Sequence, residues 1–350
     1  MKYAVILAGG IGSRFWPLSR ESEPKQFLNI CSKRPMIEEA LRRVTRLVNS
    51  RNIYLATNSA HYPRIRKYLK KFKVPASNIL LEPYSKNTFA PIAFLSKKII
   101  AGDKEAVCAV LPCDHYVRDC SRFLSVIKQA MEVAATGYIV TLGIRPSRPE
   151  TGYGYIKIKP KALPAKQSVS RRVKAYGVDR FVEKPVLAKA KKFLKDRKYF
   201  WNSGIFVFKA QKMLDEVKRL QLKAYRDLCD CAEIREAWSK MPSISIDYAV
   251  MEKARSAALI PLDCGWSDLG SWQAVEEVSK KDRHGNVLRG NCLNIGCKNS
   301  TLWSGGRLIA ALGLNNIIVA EAGQALLVCS KDKAQDVKKI VGMLKGKRYK

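Results

Sequence analysis

The first half of the chain alternates apolar, strand-like runs with helix-like segments. Residues 2–8 form a continuous apolar run that ends in Gly-Gly, which predicts a buried central strand. Apolar side chains at helical spacing predict a helix over residues 36–49. The alternation continues with strands predicted at 52–56, 106–111 and 138–143 and helices at 88–101 and 123–135. This order predicts an α/β fold, a Rossmann-like, mostly parallel sheet with helices on both faces.

The pattern becomes mixed after residue 150. Gly152, Gly154 and the Lys/Pro-rich stretch 157–170 predict a turn and then a long surface loop. Strands are predicted near 173–183 and 204–208, and helices near 187–197 and 211–238. Short apolar runs separated by Asn and Gly then lie at 291–295, 308–311, 316–319 and 325–329, before an amphipathic helix at 334–344. We therefore predict a large domain over residues 1–280 and a small β-rich domain over 281–350.

Composition is that of an ordinary globular protein. The apolar share is 47%, and no stretch approaches 18 uninterrupted apolar residues, so we expect a cytoplasmic protein without a membrane span. The ten cysteines are scattered without C-x-x-C spacing, and the three histidines add no metal-ligand pattern. We expect reduced thiols and no zinc site.

The charge is the unusual feature, because 64 Lys and Arg residues give a formal net charge of +34. Basic clusters can bind nucleic acid by neutralising its phosphates. Here the basic residues are spread along the chain, with one small cluster at Lys345, Lys347, Arg348 and Lys350. No RNA- or DNA-binding motif with aromatic stacking residues interrupts this background, so we favour a diffusely basic surface and expect neither nucleic acid nor membrane as a partner.

A glycine-rich turn follows the first predicted strand. It contains Leu7, Ala8, Gly9, Gly10, Gly12, Ser13 and Arg14. Its glycines let the backbone approach a ligand, and ligands of parallel sheets bind at this end of the strands. The spacing matches neither the dinucleotide motif nor the Walker motif. Arg14 and Lys25 supply two cations, which suit a triphosphate whose leaving pyrophosphate needs charge neutralisation.

Two aspartates are candidate metal ligands. Asp114 follows the strand predicted at 106–111, where an isolated Asp is more often a turn or a helix cap. Asp268 supplies a second carboxylate in the frame Trp-Ser-Asp-Leu-Gly-Ser-Trp. Carboxylate oxygens beside a triphosphate loop are suited to hold Mg²⁺. His115 is interpreted as a structural neighbour of Asp114.

These motifs resemble the opening of the sugar nucleotidyltransferases. Gly-Gly-x-Gly-x-Arg-x-x-Pro-Leu-Ser-Arg and the following Pro-Lys-Gln-Phe-Leu are most similar to the mannose-1-phosphate guanylyltransferase (GDP-mannose pyrophosphorylase) branch. The resemblance implies a polysaccharide-precursor enzyme that joins GTP and mannose 1-phosphate into GDP-mannose, with release of pyrophosphate. It also implies that Asp114 and Asp268 hold Mg²⁺ and that Arg14 and Lys25 contact phosphates. Relatives carry a left-handed β-helix-like C-terminal domain and commonly dimerise, which makes a homodimer possible.

Further motifs extend the resemblance to about residue 275. It implies nucleotide contacts by the residues of the glycine turn, Lys25, Glu82, Asn87 and Cys113, and sugar-phosphate contacts by Gly152, Glu183, Lys184, Asn202 and Asp247. Asp247 alternatively caps a helix. Lys86 stands where the family usually has Arg, and Cys113 replaces a small hydroxyl residue. Lys keeps the charge of Arg but loses its bidentate geometry.

Other interpretations stay open at this point. The reaction could use another sugar 1-phosphate or another nucleoside triphosphate, because the residues alone do not exclude it. A non-catalytic nucleotide-sugar-binding regulatory protein is the alternative from a different class, although such a protein would typically lack Arg14, Lys25 or one aspartate. Many relatives continue into a cupin-type phosphomannose isomerase domain; this chain ends before one, and we expect no isomerase activity.

Overall fold

The computed structural model describes residues 1–10, 12–164 and 174–344. The strands before residue 270 are β1 (Lys2–Ala8), β2 (Ile53–Asn58), β3 (Ile79–Glu82), β4 (Val107–Pro112), β5 (Tyr116–Val117), β6 (Ile139–Ile144), β7 (Tyr155–Ala162), β8 (Tyr176–Val182), β9 (Tyr199–Lys209), β10 (Ala257–Pro261) and β11 (Trp266–Ser267). The helices are α1 (Met36–Val44), α2 (Tyr62–Lys71), α3 (Phe89–Ile100), α4 (Cys120–Ala135), α5 (Leu187–Lys195), α6 (Ala210–Leu220), α7 (Leu222–Asp230), α8 (Ile234–Lys240), α9 (Ile246–Ala249) and α10 (Trp272–Val278). Within the described ranges, no helix is long and apolar enough to cross a membrane.

The chain forms two compact units, and each is assembled from three separate segments of the sequence. The first unit comprises Met1–Gly9, Ala40–Cys113 and Val117–Trp266. The second comprises Gly10–Glu39, Asp114–Tyr116 and Ser267–Lys350. The glycine turn beyond Gly9 therefore belongs to the same unit as the C-terminal segment.

The first unit is built on a nine-stranded sheet in the order β3-β2-β1-β4-β9-β6-β10-β8-β7. Strands β3, β2, β1 and β4 are parallel neighbours, and β6 is parallel to β10. Strands β8 and β9 run against the others in this sheet, since each is antiparallel to its neighbours. The prediction of an α/β fold with a mostly parallel sheet is confirmed.

Helices cover both faces of this sheet. Tyr3 and Val5 of β1 belong to a core cluster that also contains residues of α3 and α6. Side chains of a strand alternate between faces, so Ala4 and Ile6, both fully buried, point to the opposite side. Helix α4 packs against β4, β6 and β9. The apolar run of β1 is buried on both faces for this reason.

The second unit contains a C-terminal β-helix. Its strands are β12 (Val287–Arg289), β13 (Cys292–Ile295), β14 (Thr301–Trp303), β15 (Ile309–Leu312), β16 (Ile317–Ala322) and β17 (Ala325–Ser330), and helix α11 (Val337–Met343) follows them. Strands β12, β14 and β16 form one parallel ladder, and β13 and β15 form another. The predicted β-rich C-terminal domain is thus confirmed, whereas the domain boundary at residue 280 stays a prediction.

Two sequence predictions of elements are wrong. The single helix predicted over 211–238 is three helices, α6, α7 and α8, with non-helical backbone at Gln221 between the first two. The surface loop predicted from residue 157 begins as strand β7, which pairs with β8 and β9. The rest of that stretch beyond residue 164, and the basic cluster at the C-terminus, lie outside the described residues.

Candidate active site

A tight turn at Gly12 begins the phosphate-binding candidate in the second unit. Gly12 has a φ of 77°, a left-handed conformation, and precedes a short 3₁₀ helix, Ser13–Phe15. A Cβ at this position would lie 2.6 Å from the Cβ of Lys25. The hydroxyl of Ser19 donates to the Gly12 carbonyl at 2.5 Å. Glycine is required here because the chain must both turn and approach Lys25.

Lys25 is buried, with only 3% of its surface exposed, although it carries a charge. Its ammonium donates to the Asp114 carboxylate at 2.8 Å and to the backbone carbonyl of Asp268 at 2.6 Å. The nitrogen also lies 5.9 Å from the centre of the Phe15 ring. These contacts supply the partners that a buried cation needs. One side chain thereby joins the two segments that carry the predicted metal ligands.

The carboxylates of Asp114 and Asp268 are held differently. Burial by itself raises the pKa of the Asp114 carboxyl, but the positive charge of Lys25, together with His115, outweighs it and leaves that pKa below its usual value. Asp268 accepts a hydrogen bond from the Gly270 backbone N–H at 2.8 Å. A Cβ on Gly270 would lie 2.5 Å from an oxygen of the Asp268 carboxylate, so a side chain at this position would displace that carboxylate.

One cavity of about 310 Å³ gathers all four predicted catalytic residues. It is lined by Gly12, Ser13, Arg14, Phe15, Lys25, Asp114, His115, Asp268, Leu269 and Gly270. The Nε of Arg14 is buried and lacks a hydrogen-bond partner among the described residues. A buried donor without a partner is costly unless a ligand satisfies it. The cationic side chains of Arg14 and Lys25 among its lining residues suit the cavity to an anion.

The donor set of this cavity fits a hard divalent cation. Asp114 and Asp268 contribute carboxylate oxygens to one cavity, and such a cation fills its shell with further oxygens from phosphates or water. No cluster of three or more His, Cys, Asp and Glu residues suited to a metal lies in the described part of the chain. A site built from two carboxylates and a substrate phosphate agrees with both findings.

In the first unit, Glu82 is one of the predicted nucleotide contacts. It is the last residue of β3 and only 4% exposed. A Cβ on Gly9 would lie 3.3 Å from a Glu82 carboxylate oxygen. Burial raises the pKa of Glu82 to about 7. Two hydrogen bonds hold the end of β1, just before Gly9. The Leu7 carbonyl accepts from the Cys113 N–H at 3.0 Å, and the Ala8 carbonyl accepts from the Thr57 hydroxyl at 3.1 Å.

The segment after Glu82 is shaped by two polar side chains. Asn87 has a φ of 62°, and its side-chain oxygen accepts from the Thr88 N–H at 2.9 Å. Lys86 is buried and donates to the backbone carbonyls of Ser239, at 2.7 Å, and Met241. The ammonium of Lys86 thus anchors this segment to the end of α8. The contacts of Lys86, which replaces the family's usual Arg, are therefore internal to this unit.

The predicted sugar-phosphate residues come together in part. A Cβ on Gly154 would collide with a Glu183 carboxylate oxygen, so the backbone at Gly154 and the Glu183 side chain are in close contact. The Lys184 ammonium pairs with that carboxylate at 3.1 Å and is 57% exposed. Gly152 donates its N–H to Glu150 at 2.9 Å. This arrangement offers an acceptor and an exposed cation side by side.

Asn202 and Asp247 form a second pair in the same unit. The Asn202 amide donates to the Asp247 carboxylate at 2.7 Å. Burial and the charge of Glu183 raise the pKa of Asp247 to about 6. The cap of α9 is Ser245, whose hydroxyl accepts from the Tyr248 N–H. The side chain of Asp247 is thus bonded to another predicted sugar contact, Asn202.

Sequence reasoning missed several residues that shape these groups. Gly154 is predicted from the sequence only as part of a turn, although a side chain there would displace the Glu183 carboxylate. Glu150 is 9% exposed, pairs with Arg148 at 3.1 Å and fixes the turn at Gly152. Their signal was present in the Glu-Thr-Gly-Tyr-Gly-Tyr motif. Gly270 was likewise present in the sequence motif around Asp268, but no role was assigned to it.

Comparisons with known proteins identify the family. The nucleotidyl transferase family model matches residues 3–285, and a model of the mannose-phosphate isomerase/GMP-like β-helix domain matches residues 290–344. The xanthan biosynthesis protein XanB of Xanthomonas campestris pv. campestris is 39% identical over 97% of this chain and 73% of its own length. A mannose-1-phosphate guanylyltransferase of Salmonella muenchen has the same identity and coverage.

A solved structure extends the similarity to the fold. The crystal structure of mannose-1-phosphate geranyltransferase from Thermus thermophilus matches with a TM-score of 0.87 and 33% identity, over 99% of each chain. The similarity spans the sheet-based unit as well as the β-helix. The chain therefore belongs to the nucleotidyl transferase family, on its mannose-1-phosphate guanylyltransferase branch.

Proposed function

We propose that this chain is a mannose-1-phosphate guanylyltransferase that converts GTP and α-D-mannose 1-phosphate into GDP-mannose and pyrophosphate. The observation that carries the proposal is the single cavity lined by Arg14, Lys25, Asp114 and Asp268. Two cations and two carboxylates behind a glycine turn are the groups that nucleotidyl transfer needs. The names of the relatives at 39% identity support GTP and mannose 1-phosphate as the substrates.

The proposed reaction is one in-line displacement. A phosphate oxygen of the sugar 1-phosphate attacks the α-phosphorus of GTP and forms a new P–O bond. The bond from that phosphorus to the oxygen bridging the β-phosphate breaks, and pyrophosphate leaves with the electron pair. The nucleophile is already an anion, so no general base is needed. His115 accordingly has no proton to remove.

Charge neutralisation is the main contribution of the second unit. The guanidinium of Arg14 and the ammonium of Lys25, which both line the cavity, stabilise the negative charge of the departing pyrophosphate. Asp114 and Asp268 would hold Mg²⁺, which supplies charge neutralisation on the phosphate oxygens. The lowered pKa of Asp114 keeps its carboxylate ionised and able to serve as a ligand.

The first unit provides recognition in this proposal. The exposed ammonium of Lys184 binds the sugar phosphate, while Glu183, Asn202, Asp247 and the backbone at Gly152 bind sugar hydroxyls. Amide and carboxylate groups together can both donate to and accept from hydroxyls. The end of β1, with Glu82, Asn87 and Cys113, contacts the nucleotide. A cytoplasmic location and a homodimer remain predictions.

The test is a pyrophosphate-release assay with each of the four nucleoside triphosphates and several sugar 1-phosphates. We expect the highest rate with GTP and mannose 1-phosphate, and no release when Mg²⁺ is removed by a chelator. A higher rate with another pair would reassign the substrates. Folded protein that releases no pyrophosphate from any pair would refute the enzymatic assignment and favour a nucleotide-sugar-binding protein.

A further inference from the structure

The loop that carries Arg14 and Lys25 is packed onto the C-terminal β-helix. We call residues 12–30 the phosphate loop. Three of its buried side chains, Phe15, Trp16 and Ile30, share one hydrophobic cluster with Trp272, Trp303 and other residues of the C-terminal segment. All of them belong to the second unit. The apolar side chains of the phosphate loop are therefore buried against the C-terminal segment that contains the β-helix.

Arg289 joins the end of β12 to the far end of the phosphate loop. Its two terminal nitrogens donate to the backbone carbonyls of Asn29 and Ile30. Its guanidinium carbon also lies 4.1 Å from the centre of the Trp303 ring. The planar fork of arginine suits two adjacent acceptors, and the ring restricts its orientation. These contacts fix the chain four to five residues beyond Lys25.

Arg20 makes the corresponding contact before Lys25. Its Nε donates to the Pro17 carbonyl at 3.0 Å, and a terminal nitrogen donates to the carbonyl of Ala322 at the end of β16. The next residue of the β-helix, Gly323, has a φ of 58°, and a Cβ there would lie 3.5 Å from the guanidinium. The segment containing Lys25 is thus held to the β-helix on both sides.

Aromatic rings connect the β-helix directly to the Lys25 ammonium. The Trp303 ring contacts Trp272 edge-on at 5.6 Å, and Trp272 stacks on Phe15 at 5.3 Å. The indole N–H of Trp272 donates to the Trp16 carbonyl at 3.2 Å. The Phe15 ring in turn lies 5.9 Å from the Lys25 nitrogen. Close-packed rings of this kind leave little room for the loop to shift.

We propose that Arg20 and Arg289 are positioning residues, through which the C-terminal β-helix holds Arg14 and Lys25 in the geometry needed for transfer. The proposal rests on the proposed function, because it assigns the β-helix a role in that reaction. Neither arginine lines the cavity; both act through the backbone of the phosphate loop. A small displacement of a catalytic group is enough to lower the rate of a reaction that depends on position.

The experiment compares Arg20→Ala and Arg289→Ala with Arg307→Ala, an exposed arginine of the same β-helix. We expect kcat to fall about 10- to 100-fold in the first two variants, while the KM for the sugar phosphate stays the same. The kcat of Arg289→Lys should lie between those of Arg289→Ala and the native chain, because lysine keeps the charge but loses the two-pronged geometry of the guanidinium. Millimolar guanidinium should restore part of the activity of Arg289→Ala.

Hydrogen–deuterium exchange gives a readout that does not depend on activity. We expect faster exchange in peptides from residues 12–30 of Arg289→Ala, with unchanged exchange in the sheet strands β1 and β4. The proposal is overturned if both alanine variants match Arg307→Ala in kcat and in exchange of the phosphate loop. It is also overturned if activity falls only in parallel with global unfolding and guanidinium restores none of it.

The two proposals fail in different ways. A native chain that releases no pyrophosphate from any substrate pair refutes the proposed function. In that case the exchange measurement still reports whether Arg289 restrains the phosphate loop. An active native chain whose arginine variants are equally active refutes the positioning role alone.

Discussion

Glu82 is a buried carboxyl group that has no ion pair with a described residue. Its pKa rises from 4.5 to about 7, and burial is the cause. Between pH 4.5 and about 7, therefore, the Glu82 carboxyl keeps its proton in the folded protein, whereas the unfolded chain has released it. Burial here costs stability near neutral pH, as is common for groups retained because they bind a ligand.

This gives a pH-dependent prediction. Below pH 4.5 the group is protonated in both states and contributes nothing to stability. As the pH rises to about 7 the free energy of unfolding should fall by up to about 3 kcal/mol, and Glu82→Gln should remove that dependence. Urea unfolding at several pH values measures it, with Glu105→Gln, an exposed glutamate, as the control. A difference between the native chain and Glu82→Gln that is constant with pH would contradict the prediction.

At the level of single residues, the sequence predicted identities better than contacts. Lys25, Asp114 and Asp268 were recognisable from their motifs, and the cavity brings them together. Arg289 was not, because its partners lie 259 and 260 residues away and no local spacing encodes such a pair. Lys86 was recognisable only as a replacement for the family's usual Arg, and the sequence did not reveal that its ammonium is bonded to two backbone carbonyls.

The turn at Gly12 is the local element on which the phosphate loop depends. Its left-handed backbone disfavours a side chain, and its close approach to Lys25 leaves no room for one. A β-carbon would strain the turn and push Lys25 away from Asp114. The turn and the ion pair are therefore coupled.

We predict that Gly12→Ala lowers kcat about 100-fold and destabilises the fold by about 1–2 kcal/mol. The matched control is Gly102→Ala, where the nearest atom to an added Cβ is a carbonyl oxygen at 3.9 Å. Steady-state kinetics and thermal unfolding of both variants provide the measurement. Native turnover by Gly12→Ala would show that the turn does not set the position of Lys25.

Elements with strong periodicity were predicted well, and weakly patterned ones were not. Helix α3 and strand β4 match their predictions within about two residues. Helical spacing continues across Gln221, so the sequence did not reveal the break between α6 and α7. Strands β12 and β14 have three residues each, too few for alternation to be recognised.

The whole molecule carries a net charge of +34, far more than a phosphate site requires. Such a surface attracts polyanionic substrates over a distance comparable to the screening length of the solution. The effect acts on association and not on the chemical step. Raising the salt concentration should therefore weaken capture of GTP.

We expect kcat/KM for GTP to fall about three- to tenfold between 50 and 300 mM salt, while kcat changes less than about twofold. Initial rates at several ionic strengths test this, and an uncharged osmolyte is the control for viscosity. Filter binding of DNA and RNA at two salt concentrations tests the rival interpretation. Tight binding with a steep salt dependence would favour a nucleic-acid partner.

The division into two compact units was beyond sequence reasoning. The predicted boundary follows chain order, but the phosphate loop and residues Asp114–Tyr116 belong with the C-terminal unit. The packing of Phe15 and Trp16 with Trp272 and Trp303 connects the phosphate loop to that unit. Local patterns predict elements, whereas tertiary contacts between distant segments decide which elements form a unit.

The central claim is that Asp114 and Asp268, far apart in sequence, hold one Mg²⁺ in the cavity behind Gly12. The most direct measurement is Mg²⁺-dependent pyrophosphate release from GTP and mannose 1-phosphate by Asp268→Asn, beside its unfolding temperature. We predict at least a roughly 100-fold lower kcat with an unfolding temperature close to that of the native chain. Undiminished release of pyrophosphate by Asp268→Asn at the same Mg²⁺ concentration would contradict the claim.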